Sequence, residues 1–266
     1  MNGETSPERG RRIAVVLEYD GSAYCGSQYQ DNGPSIQSEL EAAMNKLTSE
    51  NVRAAFAGRT DAGVHALGQV AALNTSSRLT ATECMSGLNH FLPADIAVRA
   101  AKEVDAAFDP RRQARSRRYR YRIENRAGRP ALDRQRAWHV PQALDVAAMI
   151  DAAEVLRGAH DFAAYAGPYE GSTSRTLRRC DVRRCGGDVR IELEAEAFLP
   201  HQVRRTVGPL TEVGLGRMKR NKLEAWLREA RPSSAGPAAP AHGLYLVEVK
   251  YDGLDFGLAD EDGLDA

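Results

Sequence analysis

Ser116-Arg117-Arg118-Tyr119-Arg120-Tyr121-Arg122-Ile123-Glu124-Asn125 sets the fold class, because Tyr119, Tyr121 and Ile123 alternate with Arg118, Arg120 and Arg122 along it. A period of two puts aromatic side chains on one face of an extended strand and cations on the other. Aromatic faces can stack on bases while arginines track phosphates, a combination suited to an RNA-binding sheet. The plainer reading is a core strand with exposed arginines on its outer face, and Tyr121 suits that reading.

Working outward from this strand, elements of both kinds alternate. Ile13 to Tyr19 reads as a strand, and Ser35 caps a helix carrying Ile36, Leu40, Met44 and Leu47 to about Thr48. Val52 to Ala57 and Gln69 to Asn74 read as strands. Thr80 and Glu83 form a capping box for a helix with Met85 and Leu88, and Ile96 to Val104 returns as strand. On the C-terminal side, Asp145 caps a helix with Val146, Met149, Ile150, Ala153 and Leu156 inward. Gly186-Gly187 joins two strands, Arg178 to Cys185 and Asp188 to Phe198. In the second, Val189, Ile191, Leu193, Ala195 and Ala197 alternate with Arg190, Glu192, Glu194 and Glu196, which predicts one wet face. A helix spans His201 to Leu215, although Pro209 should kink it or delay its start. Asn221 and Glu224 open a further helix with Leu223, Trp226 and Leu227. Pro232 to Pro240 reads as a loop and Leu244 to Tyr251 as the last strand. Both halves follow a strand-helix-strand-helix-strand plan, an α+β chain with mainly antiparallel sheets. The boundary is expected at 112/113: an N-terminal domain 1–112 and a C-terminal domain 113–266.

Between the Val52 to Ala57 and Gln69 to Asn74 strands lies Gly58-Arg59-Thr60-Asp61-Ala62-Gly63-Val64-His65. Gly58 and Gly63 permit a sharp turn that presents Asp61 to a cleft, where its carboxylate can act as nucleophile or base. Arg59 can keep Asp61 ionised, and it can also fork onto phosphate or stack on a base. Residue types alone also allow a polar turn with a surface ion pair.

The 266 residues, 42% hydrophobic and 27% charged, describe a globular chain with one large or two medium domains. No apolar run approaches a membrane span, and Met1 to Pro7 lacks the apolar core of a signal peptide, so a cytoplasmic protein is expected. Cys25, Cys84, Cys180 and Cys185 have no paired spacing, which argues against a zinc site or a disulfide framework. The net charge is zero, but its distribution is uneven. Seven arginines fall between Arg111 and Arg122 with no acid among them, and Arg175, Arg178, Arg179, Arg183 and Arg184 follow. The acids gather in a tail, Asp252, Asp255, Asp260, Glu261, Asp262 and Asp265. Such segregation suits a basic groove for a nucleic acid on an otherwise acidic body, although either run alone could be a solvated strand face.

The octapeptide taken whole resembles the catalytic motif of the TruA family of tRNA pseudouridine synthases. Tyr19-Asp20-Gly21 with Gly26 and Gln28, the Ser116 to Tyr121 stretch, Phe198 to Gly208, and Gly243-Leu244-Tyr245-Leu246 follow the family's order across residues 13 to about 251. The resemblance implies the pseudouridine synthase fold, two similar α/β halves meeting at a central RNA-binding cleft. It implies conversion of uridine to pseudouridine in the tRNA anticodon arm, at positions 38, 39 and 40, by a homodimer without cofactor or metal. Carried onto this chain, Asp61 is the catalytic carboxylate and Arg204 its ion-pair partner. Arg59 helps expel the target base, Tyr119 stacks on the flipped uracil, and Leu244 lines the pocket, with Arg117, Arg118 and Arg120 on the RNA-binding strand. Ser27, Pro200, Gln202 and Arg112 depart from the family pattern and bear on substrate fit.

Two rival readings remain at this level. Asp61 and His65, with His201 or His242, are the donor types of a metal-dependent hydrolase, but the glycines make the segment a loop and no ligand cluster accompanies it. A non-catalytic RNA-binding relative would not need Asp61, Arg59 and Tyr119 together.

Overall fold

The computed structural model describes residues 10–31 and 33–258; the stretch Met1 to Pro7 and the acids from Asp260 onward lie outside the described residues. The chain divides into two compact units. Unit 1 holds the residues up to Thr60, Ala66–Arg115 and those from Val249; unit 2 holds Asp61–His65 and Ser116–Glu248. The continuous spans 1–112 and 113–266 differ from this in three places: unit 1 also takes 113–115 and the residues from Val249, and unit 2 takes Asp61–His65. The contacts explain two of these: Asp61 and His65 bond to side chains and carbonyls of unit 2, and Tyr251, Leu254 and Phe256 pack on Ala14, Ala72 and Phe108 of unit 1.

Unit 1 is built from β1 (Arg11–Tyr19), α1 (Ile36–Thr48), β2 (Ala55–Phe56), β3 (His65–Thr75, from Ala66 onward), α2 (Ala81–Phe91) and β4 (Ile96–Val104). Its sheet runs β4-β1-β3, antiparallel throughout, with β2 on β3. Both helices begin at capping boxes, Ser35 with Ser38 and Thr80 with Glu83, which satisfy backbone N–H groups that have no partner inside the helix. Ile36, Leu40 and Met44 of α1 and Cys84 and Leu88 of α2 are buried. The strand expected over Val52 to Ala57 shortens to two residues, because the Ala54 N–H donates to Glu41 Oε1 at 2.9 Å instead of entering a ladder.

Unit 2 contains β5 (Ala114–Glu124, from Ser116 onward), β6 (Trp138–His139), α3 (Val146–Glu154), β7 (Gly158–Asp161), β8 (Ser174–Cys185), β9 (Asp188–Ala195), α4 (Gln202–Gly214), α5 (Arg220–Glu229) and Leu244–Glu248 of β10 (Leu244–Tyr251). The strand order is β10-β5-β9-β8-β7, and β6 lies parallel to β5. Tyr119, Tyr121 and Ile123 stand opposite Leu193, Ile191 and Val189 across β5 and β9. Tyr121 is fully buried, with its hydroxyl donating to Pro240 O at 2.7 Å. Desolvation pushes its phenol well above the ordinary tyrosine range.

Three helical expectations change. Ile150 is 44% exposed, and the inward face of α3 is Met149, Ala152 and Ala153. Helix α4 starts at Gln202 and runs through Pro209. An internal proline costs about 3 kcal/mol, and burying Val203, Val207, Leu210 and Val213 at roughly 1.5–3 kcal/mol each exceeds that. Helix α5 begins at Arg220 with Lys219 as a cap that gives no side-chain bond, so Asn221 lies inside it. Among the described residues no helix is long and apolar enough to cross a membrane.

Candidate active site

The stem of the octapeptide is held in unit 1. Gly58 O accepts from Gln69 Nε2 at 2.8 Å, and Thr60 N donates to Ser27 Oγ at 2.8 Å while Ser27 N donates to Thr60 O at 3.1 Å. Thr60 Oγ1 also meets the Tyr19 hydroxyl at 2.9 Å. Burial pushes the Tyr19 phenol up to about 12, so it stays protonated. Ser27, one of the departures from the family pattern, is thus fully buried and used as a double tether. Arg59 is exposed and makes no ion pair among the described residues.

The other end of the loop is held in unit 2. Val64 N donates to Asp61 O at 3.1 Å, closing a turn in which Gly63 takes φ +77°, a conformation that favours glycine. Gly58 does not use positive φ. Buried His65 donates from Nε2 toward two carbonyls, Gln135 O at 2.9 Å and His242 O at 3.1 Å, and stacks on Tyr245 with centroids 4.7 Å apart. The Tyr245 hydroxyl donates to Arg136 O at 2.6 Å. His65 is therefore a structural pin; among the described residues no group of three or more His, Cys, Asp or Glu is placed to hold a metal.

Two cationic or polar donors converge on one oxygen of Asp61. Arg204 Nη1 donates to Oδ2 at 2.8 Å and His201 Nδ1 donates to the same Oδ2 at 2.9 Å. Arg204 is fixed in turn by Nε donating to Ala239 O at 2.8 Å, with Ala239 N returning a bond to Arg204 O at 2.9 Å. The 237–240 loop can approach because residue 208 is glycine; a Cβ there would lie 2.8 Å from Pro237 O. Asp61 keeps 34% of its side chain exposed, so the carboxylate is both anchored and accessible. Burial, with His65 and the Arg204 guanidinium nearby, holds His242 below the ordinary imidazole value.

His201 was paired with Asp61 in the sequence only as a metal-donor type; that it donates a hydrogen bond to the carboxylate was not expected.

The family model for tRNA pseudouridine synthases matches residues 15–111 and 152–252 of this chain. The chain belongs to this family. Its relatives include proteins named tRNA pseudouridine synthase A from Acidiphilium cryptum, 48% identical over 247 residues (91% of this chain, 97% of that protein), and Roseiflexus castenholzii, 47% identical over 246 residues (91% of each). The namesake from Rhodospirillum rubrum is 44% identical over 245 residues, covering 91% of this chain and 88% of that protein.

For this pseudouridine synthase chain, the remaining expected site residues fall on neighbouring strands of unit 2. Tyr119 on β5 is 7% exposed and meets Phe198 edge to face, centroids 5.2 Å apart. Leu244, buried, opens β10. The arginines of β5 are placed otherwise than expected. Arg117 is buried and donates from Nη1 to Glu196 O. Arg118 and Arg120 are 5% exposed and pair with Glu192, at 3.5 and 2.8 Å. Glu192, itself only 3% exposed, also collects Arg179 at 3.1 Å and Arg183 at 3.4 Å. Of the face expected to be wet on β9, Arg190 and Glu194 are half-buried and Glu196 is exposed, while Glu192 is the buried centre of an ion cluster, and guanidiniums engaged this way do not offer their charge to phosphate. Exposed cations occur elsewhere in unit 2: Arg129 and Arg134 line an open pocket of about 420 Å³ together with His139, His242, Pro130, Ala131 and Ala137.

Proposed function

We propose that this chain isomerises uridine to pseudouridine in tRNA, with Asp61 as the reacting carboxylate. One observation carries the assignment: a carboxylate, 34% exposed, whose Oδ2 is bound by Arg204 and His201 while Oδ1 accepts no hydrogen bond among the described residues. Arg204 pairs with the carboxylate at 2.8 Å, and the chemistry uses the carboxylate in its ionised form. The N1–C1′ bond breaks, the uracil turns, C5 bonds to C1′, and the proton on C5 departs as N1 gains one. A carboxylate serves this sequence by attacking C1′ or by taking a proton from the sugar, and either use needs a free oxygen directed at the ribose. The target base leaves its stack first, at a cost of a few kcal/mol. In this reading Tyr119 stacks on the extruded uracil, Leu244 closes the apolar wall, and exposed Arg59 takes the vacated place in the helix. Water exclusion around the detached base prevents its loss.

Relatives named as tRNA enzymes support tRNA as the substrate. The finer reading is the anticodon arm, at positions 38, 39 and 40, modified by a cytoplasmic homodimer. Phosphates are met by exposed cations such as Arg129 and Arg134 of the open pocket.

Purified protein should release tritium from C5-labelled uridine in a tRNA anticodon stem-loop, in EDTA and without added cofactor. Asp61→Asn should abolish release while the variant still binds tRNA within a few-fold of the parent. Full turnover by Asp61→Asn would remove the assignment, and tRNA binding without turnover in the parent would indicate a non-catalytic relative.

A further inference from the structure

We infer that His201 is a positioning residue for this reaction: with Arg204 it immobilises Oδ2 of Asp61, so that Oδ1 is the oxygen presented to the nucleoside. The inference deepens the reading of Asp61 as the reacting carboxylate and rests on it. Three observations at His201 carry it.

The first is the bond itself. Arg204 alone, donating from Nη1 at 2.8 Å, leaves the carboxylate free to turn about its Cβ–Cγ bond and exchange its two oxygens. A second donor on the same oxygen, His201 Nδ1 at 2.9 Å, restrains that torsion. The second is backbone conformation. His201 stands at the N-cap of α4 with φ +59° and ψ +3°, the left-handed region, and its side chain makes no capping bond to the helix. A histidine in that region is uncommon and is held there only where its surroundings demand it. The third is the space made for the ring. Gly167 N donates to Pro200 O at 2.7 Å, and a Cβ on Gly167 would sit 2.5 Å from His201 Cδ2. A glycine at 167 therefore admits the imidazole to its place beside Asp61. Helix capping does not account for this arrangement, whereas aiming a donor at Oδ2 does.

Two substitutions separate the donor from the backbone. His201→Gly suits a left-handed φ better than histidine does and removes only the side-chain donor. Asparagine also tolerates this conformation, and its side-chain N–H₂ reaches the position of Nδ1. In single-turnover and steady-state assays on a tRNA anticodon stem-loop, His201→Gly should lower kcat about tenfold, the loss expected for one hydrogen bond to a charged group. Its KM should stay within about twofold and its unfolding temperature should not fall. His201→Asn should recover kcat to within about threefold of the parent. An unchanged kcat in His201→Gly, a loss confined to KM, or a His201→Asn variant as slow as His201→Gly would each overturn the positioning role. Failure of the underlying reading shows separately, as an Asp61→Asn variant that still turns over.

Discussion

At the residue scale, the site depends as much on missing side chains as on present ones. Gly243, just before β10, is the sharpest case. A Cβ there would lie 2.7 Å from Tyr121 Cε1 and Cζ and 2.9 Å from Arg122 O. The tyrosine ring is fully buried and tied through its hydroxyl to Pro240 O, and the carbonyl is backbone, so neither has room to yield. Gly243→Ala should therefore cost about 1–3 kcal/mol. Urea unfolding would read this as a lower midpoint at unchanged slope, and a midpoint equal to the parent's would show that the contact relaxes. Gly243 does not use positive φ, so the penalty is steric and not conformational. None of this is visible in the residue's type, because what a Cβ would meet comes from a strand more than a hundred positions earlier. Asp61, by contrast, was picked out from its loop and its family motif as the proposed reacting carboxylate. Its second donor, His201, was not, since the side chain reaches Asp61 only through a backbone conformation that the histidine does not advertise.

At the element scale, alternation located strands well and wet faces poorly. The period of two in Tyr119, Tyr121 and Ile123 placed β5, and the one in Val189, Ile191 and Leu193 placed β9. It said nothing about what lies over the other face, where Arg118 and Arg120 close on Glu192. The energetic consequence can be measured. Glu192→Ala removes the carboxylate at 2.8 Å from buried Arg120 and leaves Arg118 to Glu248 at 3.3 Å, and breaking a buried pair costs about 3–5 kcal/mol. Truncating Arg183, which is 46% exposed, removes a screened pair worth about 1 kcal/mol or less. Equal losses for Glu192→Ala and Arg183→Ala in denaturant titrations would mean that the cluster is hydrated. The same logic explains the shortened β2: a strand needs free backbone donors, and Glu41 had already taken that of Ala54.

At the scale of the whole molecule, a chain of zero net charge binds a polyanion only through local excess of cations. With Arg117, Arg118 and Arg120 buried, that excess falls to exposed groups, among them Arg129, which has no partner among the described residues. Affinity for tRNA should fall linearly as log Kd against log salt, and Arg129→Ala should reduce the slope by about one. An unchanged slope would remove the 129–139 pocket from the RNA path. The sequence by itself determined the family, the α+β class, and most helices and strands, and it singled out Asp61 as the proposed carboxylate, because periodicity, caps and a contiguous motif are local properties. Only the tertiary structure decided that Asp61–His65 belongs to unit 2, that the β5 arginines neutralise Glu192 instead of facing solvent, and that Oδ2 of Asp61 has two donors. Each of these depends on which distant segment supplies the partner charge or hydrogen bond, and residue spacing carries no record of that choice.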